Sequence, residues 1–144
     1  MDLSQTQIIA LLRAEALKQG APVEFVMATA EVESNFRNVK AVNGASYGPL
    51  QVHVSALLSG ETEADLQNLG FSIARGVSII RHRLTRANGD SVEARTMYFC
   101  GANYTPSTCS EYARARLRER WAPVATKWGV KTRYRLSGSQ WVPG

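Results

Sequence analysis

Val23-Glu24-Phe25-Val26-Met27-Ala28-Thr29-Ala30-Glu31-Val32-Glu33-Ser34-Asn35-Phe36 is the stretch from which the rest of the chain is read. Val23, Val26, Ala30 and Glu33 fall at i, i+3, i+7 and i+10 of one helical stripe. Pro22 suits the first turn of this helix, which the pattern carries to about Asn35. Glu24, Ala28 and Glu31 share another face, about 200° from Glu33 on an ideal helix, so Glu31 reads as solvated and Glu33 as inward. Loss of hydration on an apolar face favours the protonated form of a carboxylic acid, the state a general acid needs. The competing reading is a structural glutamate that reaches solvent or pairs with an arginine, and periodicity alone favours that one.

Working outward, Ser4-x-x-Gln7 has the form of a capping box, and Ile8, Leu11, Leu12 and Ala16 recur at helical spacing until Gly20, predicting a helix over about 5–19. From Phe36 to Gly48 the apolar spacing is irregular, and Asn43-Gly44 and Tyr47-Gly48-Pro49 mark turns, so an ordered loop or two short strands at most is expected. Thr62-x-x-Asp65 caps a short helix. Ile73, Val77, Ile80 and Leu84 continue as one to about Ala87, before Asn88-Gly89-Asp90 breaks it. Ser91 caps a helix ending near Phe99, a Gly-, Pro-, Ser- and Thr-rich loop runs to Cys109, and Ser110 to Trp121 is helical, with Pro123 restarting a turn. Residues 131–144 show no clear period and read as a docked tail or the start of a linker. The expected architecture is one mainly α domain, 1–144, with five to six helices, little or no strand and no internal repeat.

The chain has 144 residues, 44% apolar and 20% charged, which rules out a long disordered polymer. Two cysteines and two histidines are too few for a disulfide-dense mini-protein or a zinc ribbon, so no metal site and no cofactor are expected. Cys100 and Cys109, nine residues apart, suit one loop-stapling disulfide in an oxidising compartment and two free thiols in a reducing one. The net charge of +5 is uneven: residues 1–74 hold 4 basic and 8 acidic side chains, residues 75–144 hold 13 and 4. That basic half points to an anionic partner, and nucleic acid, a membrane surface and the bacterial wall all qualify. Met1-Asp2-Leu3-Ser4-Gln5 starts polar, and Arg13, Glu15 and Lys18 interrupt the helix that follows, so neither a signal peptide nor a membrane span is expected.

Glu33-Ser34-Asn35-Phe36, a polar loop and then Gly48-Pro49-Leu50-Gln51 resemble the lytic transglycosylases of the goose-lysozyme-like superfamily. That family has a helix ending in Glu-Ser-x-Phe and a glutamine in a Gly-Leu-Met-Gln-like turn, and Gln51 follows Glu33 by the family's 18 residues. Asp65, Asn68 and Gly76 resemble its next segment, Met97-Tyr98-Phe99-Cys100-Gly101 its Ala-Tyr-Asn-Ala-Gly motif, and Tyr112 a tyrosine beyond, so the resemblance covers about 22–121. Three positions depart from the pattern. Phe99 stands for an asparagine, His53 for a methionine and Val42 for a serine, with Asn43 or Ser46 as nearby polar replacements.

The resemblance implies a lysozyme-like fold that cleaves the β-1,4 bond between N-acetylmuramic acid and N-acetylglucosamine, with Glu33 as acid and then base, giving 1,6-anhydro ends. Between Val32 and Ser59 Glu33 is the single acid, which suits such a reaction better than a two-carboxylate hydrolysis. Gln51 and Tyr98 are expected to line the sugar cleft, the alternatives being a turn-stabilising amide and a core aromatic. Ser34 belongs to the same substrate-binding set. Tyr47 and Tyr104 are placed in loops bordering the groove, to stack on sugars or simply to pack, and His53 is a substrate contact, a second titrating group or structural. Arg114, Arg116, Arg118 and Arg120 alternate on a helix with Ala113, Leu117 and Trp121 inside, either a solvated face or a wall-binding patch.

The expected partner is thus the peptidoglycan glycan strand. A nucleic-acid-binding domain is disfavoured, since neither helix-turn-helix spacing nor interleaved aromatic and basic residues occur. A hydrolytic muramidase of the same superfamily and a non-catalytic wall-binding module are the other readings. A leaderless chain of this type fits a phage lysin released by a holin or an enzyme carried in a virion, acting as a monomer or within the particle on the periplasm or cell wall. A domain of a secretion-system protein is the alternative setting.

Overall fold

The fold is taken from a computed structural model that describes residues 3–42 and 44–144. In chain order it runs α1 (Leu3–Gln19), α2 (Val23–Ser34), the antiparallel pair β1 (Ser46–Tyr47) and β2 (Val52–His53), and a 3-10 turn (Val54–Ala56). There follow α3 (Glu63–Leu66), α4 (Leu69–Arg86), α5 (Ser91–Cys100), α6 (Glu111–Trp128) and the antiparallel hairpin β3 (Tyr134–Ser137) and β4 (Gln140–Pro143). The protein is therefore mainly α, with strand confined to two small two-stranded sheets among the described residues.

The centre is α2. Phe25 to Ala30 are all buried, the signature of a helix covered on every side rather than on one stripe. Leu12 and Ala16 of α1, Val77 and Ile80 of α4 and Trp121 of α6 close around it, with the Phe25 and Trp121 rings 5.2 Å apart. The helix stops because Asn35 turns left-handed at φ 53°, a conformation asparagine tolerates, and Phe36 follows at φ 60°. A bulky residue resists that backbone. Phe36 is held there by burial and by an edge-on contact with Trp128, ring centroids 5.8 Å apart.

Four local expectations are corrected. α1 begins at Leu3, so Ser4 sits in its first turn rather than at the cap. The cap of α5 is Asp90, whose carboxylate accepts from the Glu93 amide at 2.8 Å, whereas the Ser91 hydroxyl donates to the Thr132 carbonyl at 3.0 Å. α6 does not stop at Trp121: it continues through Pro123 to Trp128, since the turns beyond the proline bury apolar surface against α2, and Gly129 then ends it at φ 76°. Residues 134–143, expected as a docked tail or the start of a linker, are docked, but as a hairpin. It is docked by Tyr134, whose amide donates to the Gly89 carbonyl, and by Trp141, whose amide donates to the Gly20 carbonyl, both at 2.8 Å.

The cysteines are paired. Cys100 at the end of α5 and Cys109 before α6 form a disulfide with Cα atoms 5.6 Å apart, which closes the loop between the two helices. Closing a loop of this length removes about 2–3 kcal/mol of unfolded-state entropy. Unfolding in denaturant with and without reductant is expected to differ by that amount, and a Cys100→Ser/Cys109→Ser variant is expected to match the reduced protein. No helix among the described residues is long and apolar enough to cross a membrane.

Candidate active site

Glu33 lies in the last turn of α2 and lines a groove of about 530 Å³. Gln51 and His53 enter it from the β1–β2 connection and β2, Ile79 and Arg83 from α4, and Tyr98 and Phe99 from α5. Three of the sequence-selected residues, Gln51, His53 and Tyr98, are thus brought to Glu33. No second carboxylate lines the groove among the described residues. Asp65 is occupied in the capping box of α3 and Asp90 in the cap of α5.

The turn that carries Gln51 depends on one close approach and two hydrogen bonds. Gly76 of α4 faces Leu50 so closely that a Cβ there would lie 2.7 Å from the Leu50 Cβ. This contact seats the 48–51 turn against α4. Gln51 sits at φ 50°, and its amide nitrogen donates to the Val39 and Gly48 carbonyls at 2.9 and 3.0 Å. The turn-stabilising role and the groove-lining role therefore coexist: the amide nitrogen serves the turn while the residue fronts the groove.

The Tyr98 hydroxyl donates to the Leu50 carbonyl at 2.5 Å. Burial above all, and then the charge of Glu33, push its ionisation well above the usual phenol range, against the opposing pull of Arg95 and Arg83. Tyr98 therefore remains a proton donor at any working pH. Since an unfolded tyrosine ionises near pH ~10, its contribution to stability is full below that pH and is lost as pH rises beyond it. Thermal unfolding above pH ~10 is expected to show a loss of stability in the wild type that is smaller in Tyr98→Phe.

Glu33 has a partner that the apolar stripe does not reveal. Its Oε2 is 2.5 Å from Nη2 of Arg95, a residue of α5 whose side chain is 1% exposed, while the Glu33 side chain is 20% exposed. The structural alternative, pairing with an arginine, thus holds together with the groove-lining position. Arg95 is the main residue that sequence reading missed. The available signal was its position three residues before Tyr98, on the same face of α5. Glu31 is also not the freely solvated residue expected: its side chain is 18% exposed and accepts from Lys127 Nζ at 2.8 Å and Trp128 Nε1 at 3.0 Å.

Other expected contacts lie elsewhere. The Ser34 hydroxyl donates to the Pro49 carbonyl at 2.7 Å and accepts from the Arg37 amide at 3.2 Å; it locks the end of α2 to the 48–51 turn and is not in the groove lining. Tyr47 is buried, donates to the Glu63 carboxylate and lies under Lys40, away from the groove. Tyr104 donates to Glu93 at 2.8 Å under Arg114 and likewise does not line it. His53 does line it, with Nδ1 accepting from the Ser55 amide at 3.0 Å. Of the replacements for Val42, Ser46 lines the groove and Asn43 lies outside the described residues. Tyr112 is exposed beneath Arg116. Arg114 and Arg118 both pair with Glu111 within α6, and Arg120 reaches across to the Val32 carbonyl of α2.

No group of three or more histidine, cysteine, aspartate or glutamate side chains that could hold a metal ion occurs among the described residues. Comparison with known proteins finds no matching family model, no significantly similar curated protein and no significantly matching solved structure.

Proposed function

We propose that this chain is a lysozyme-like peptidoglycan lytic transglycosylase in which Glu33 serves as general acid and then as general base. The observation that carries the reading is a groove in which, among the described residues, one carboxylate, Glu33, lies with Gln51 and Tyr98. Hydrolytic glycosidases ordinarily need two carboxyl groups, one for the leaving group and one for the nucleophile or water. A reaction in which the substrate supplies its own nucleophile needs one.

In the proposed cycle a proton on Glu33 passes to the glycosidic oxygen as the bond to muramoyl C1 breaks. The substrate's N-acetyl group supports the developing cation. The Glu33 carboxylate then takes the proton of the muramoyl C6 hydroxyl as that oxygen bonds to C1, which closes the 1,6-anhydro ring, restores the acid and consumes no water. Arg95 holds Oε2, so Oε1 is the oxygen left to carry the travelling proton.

The basic second half of the chain favours encounter with an anionic wall, an attraction that salt screens. Carriage by a phage, as a lysin or within a virion, is part of the same proposal. Purified bacterial sacculi test it: the expected result is loss of turbidity with release of glycan fragments. Unchanged sacculi that nevertheless bind the protein would favour a wall-binding module.

A further inference from the structure

Arg95 has more cationic capacity than its visible bonds use. A guanidinium carries five N–H donors, yet the sole polar partner of this buried one is Glu33 Oε2, and Nε and Nη1 have none among the described residues. Its other neighbours are rings: the guanidinium carbon lies 5.4 Å from the Tyr98 ring centroid and 5.3 Å from that of Trp121. One side chain of α5 thereby touches α2 through Glu33 and α6 through Trp121. Burying a charge with so few hydrogen bonds is expensive, and an apolar side chain of similar volume would fill the space between the rings without that expense.

We propose that Arg95 is a positioning residue: pinned between Tyr98 and Trp121, it fixes one oxygen of Glu33 so that the other faces the groove. This rests on the reading of Glu33 as acid and base. The planar guanidinium suits the role because it packs against ring faces and its orientation follows theirs, whereas a lysine would bring a mobile point charge. A glutamate at a helix end otherwise has free side-chain torsions, and proton transfer is sensitive to misplacement on the scale of an ångström.

The test is steady-state cleavage of a soluble peptidoglycan tetrasaccharide by wild type, Arg95→Met and Arg95→Lys, with thermal unfolding of each. The expected result is a fall in kcat of about 10²-fold in Arg95→Met with KM changed less than ~2-fold, and an intermediate kcat in Arg95→Lys. Folded Arg95→Met with wild-type kcat and only a lower melting temperature would overturn the proposal. Should Arg95→Met fail to fold, Arg95→Lys decides alone, a lowered kcat at constant KM supporting the proposal and wild-type kcat refuting it. An inactive wild type would instead remove the reading of Glu33, and this inference with it.

Discussion

Glu33→Gln is expected to abolish glycan cleavage and also to weaken the fold by about 3 kcal/mol. The first effect follows from the chemistry. General acid–base catalysis by one positioned group contributes about 10²–10⁴-fold, and here one carboxyl is assigned both transfers with no other acid lining the groove among the described residues, so the loss is expected at or beyond the upper end. The second follows from Arg95. Glutamine fits the space but carries no charge, which leaves a 1% exposed guanidinium without its counter-ion. Breaking a buried pair from one side costs about 3–5 kcal/mol, and the partial exposure of Glu33 places this case at the lower end.

The same reasoning predicts a rescue. Replacing a buried ion pair by apolar or neutral groups is often close to neutral, so Glu33→Gln/Arg95→Met is expected to regain most of the lost stability in urea unfolding while remaining inactive. That combination separates a glutamate needed for chemistry from one needed only as a counter-ion, because a purely structural Glu33 would let activity return with the fold.

Gly76→Val is the second large effect, about 3 kcal/mol of destabilisation with loss of cleavage. Valine in place of a helical glycine gains under ~1 kcal/mol of propensity. Against this, the Cβ alone would meet Leu50 Cδ1 at 2.5 Å and Leu50 Cβ at 2.7 Å, and the two γ-methyls add to the crowding. Overpacking a tight contact costs about 1–3 kcal/mol, and Leu50 Cβ, next to the backbone, cannot swing aside as a side-chain tip can. The 48–51 turn must therefore move away from α4. It carries Gln51, the Leu50 carbonyl that accepts from Tyr98, and the Pro49 carbonyl that accepts from Ser34, so activity is expected to fall more than stability alone explains. Chemical denaturation and turnover measured on the same preparation check both parts.

What could be read in the sequence was whatever local periodicity decides. The stripes of the helices around Ile80 and Leu117 are buried at Ile73, Val77, Ile80, Leu84, Leu117 and Trp121, that of the first helix at Ile8, Leu12 and Ala16 but not at Leu11, which is exposed, and the Glu33 to Gln51 interval brings the two residues to one groove. What escaped was set by contacts distant in sequence. Arg95 looks like any helical arginine until α2 and α6 enclose it, and its partner is 62 residues away. The 134–143 hairpin lacks the alternation of a half-buried sheet, because Tyr134 is the one buried residue of β3 and Trp141 that of β4. Tyr47 and Tyr104 were expected in loops bordering the groove, but Tyr47 lies in β1 and neither lines it: their hydroxyls go to Glu63 and Glu93, which no spacing rule connects to them.

The most direct measurement is mass analysis of the glycan ends released from peptidoglycan by the wild-type protein, with the reaction run in isotopically heavy water. Cleavage through Glu33 alone predicts 1,6-anhydro-muramoyl ends, one water lighter than reducing ends and free of the solvent label. Reducing muramoyl ends that carry the label would contradict it, since they require an activated water and hence a second group acting beside Glu33.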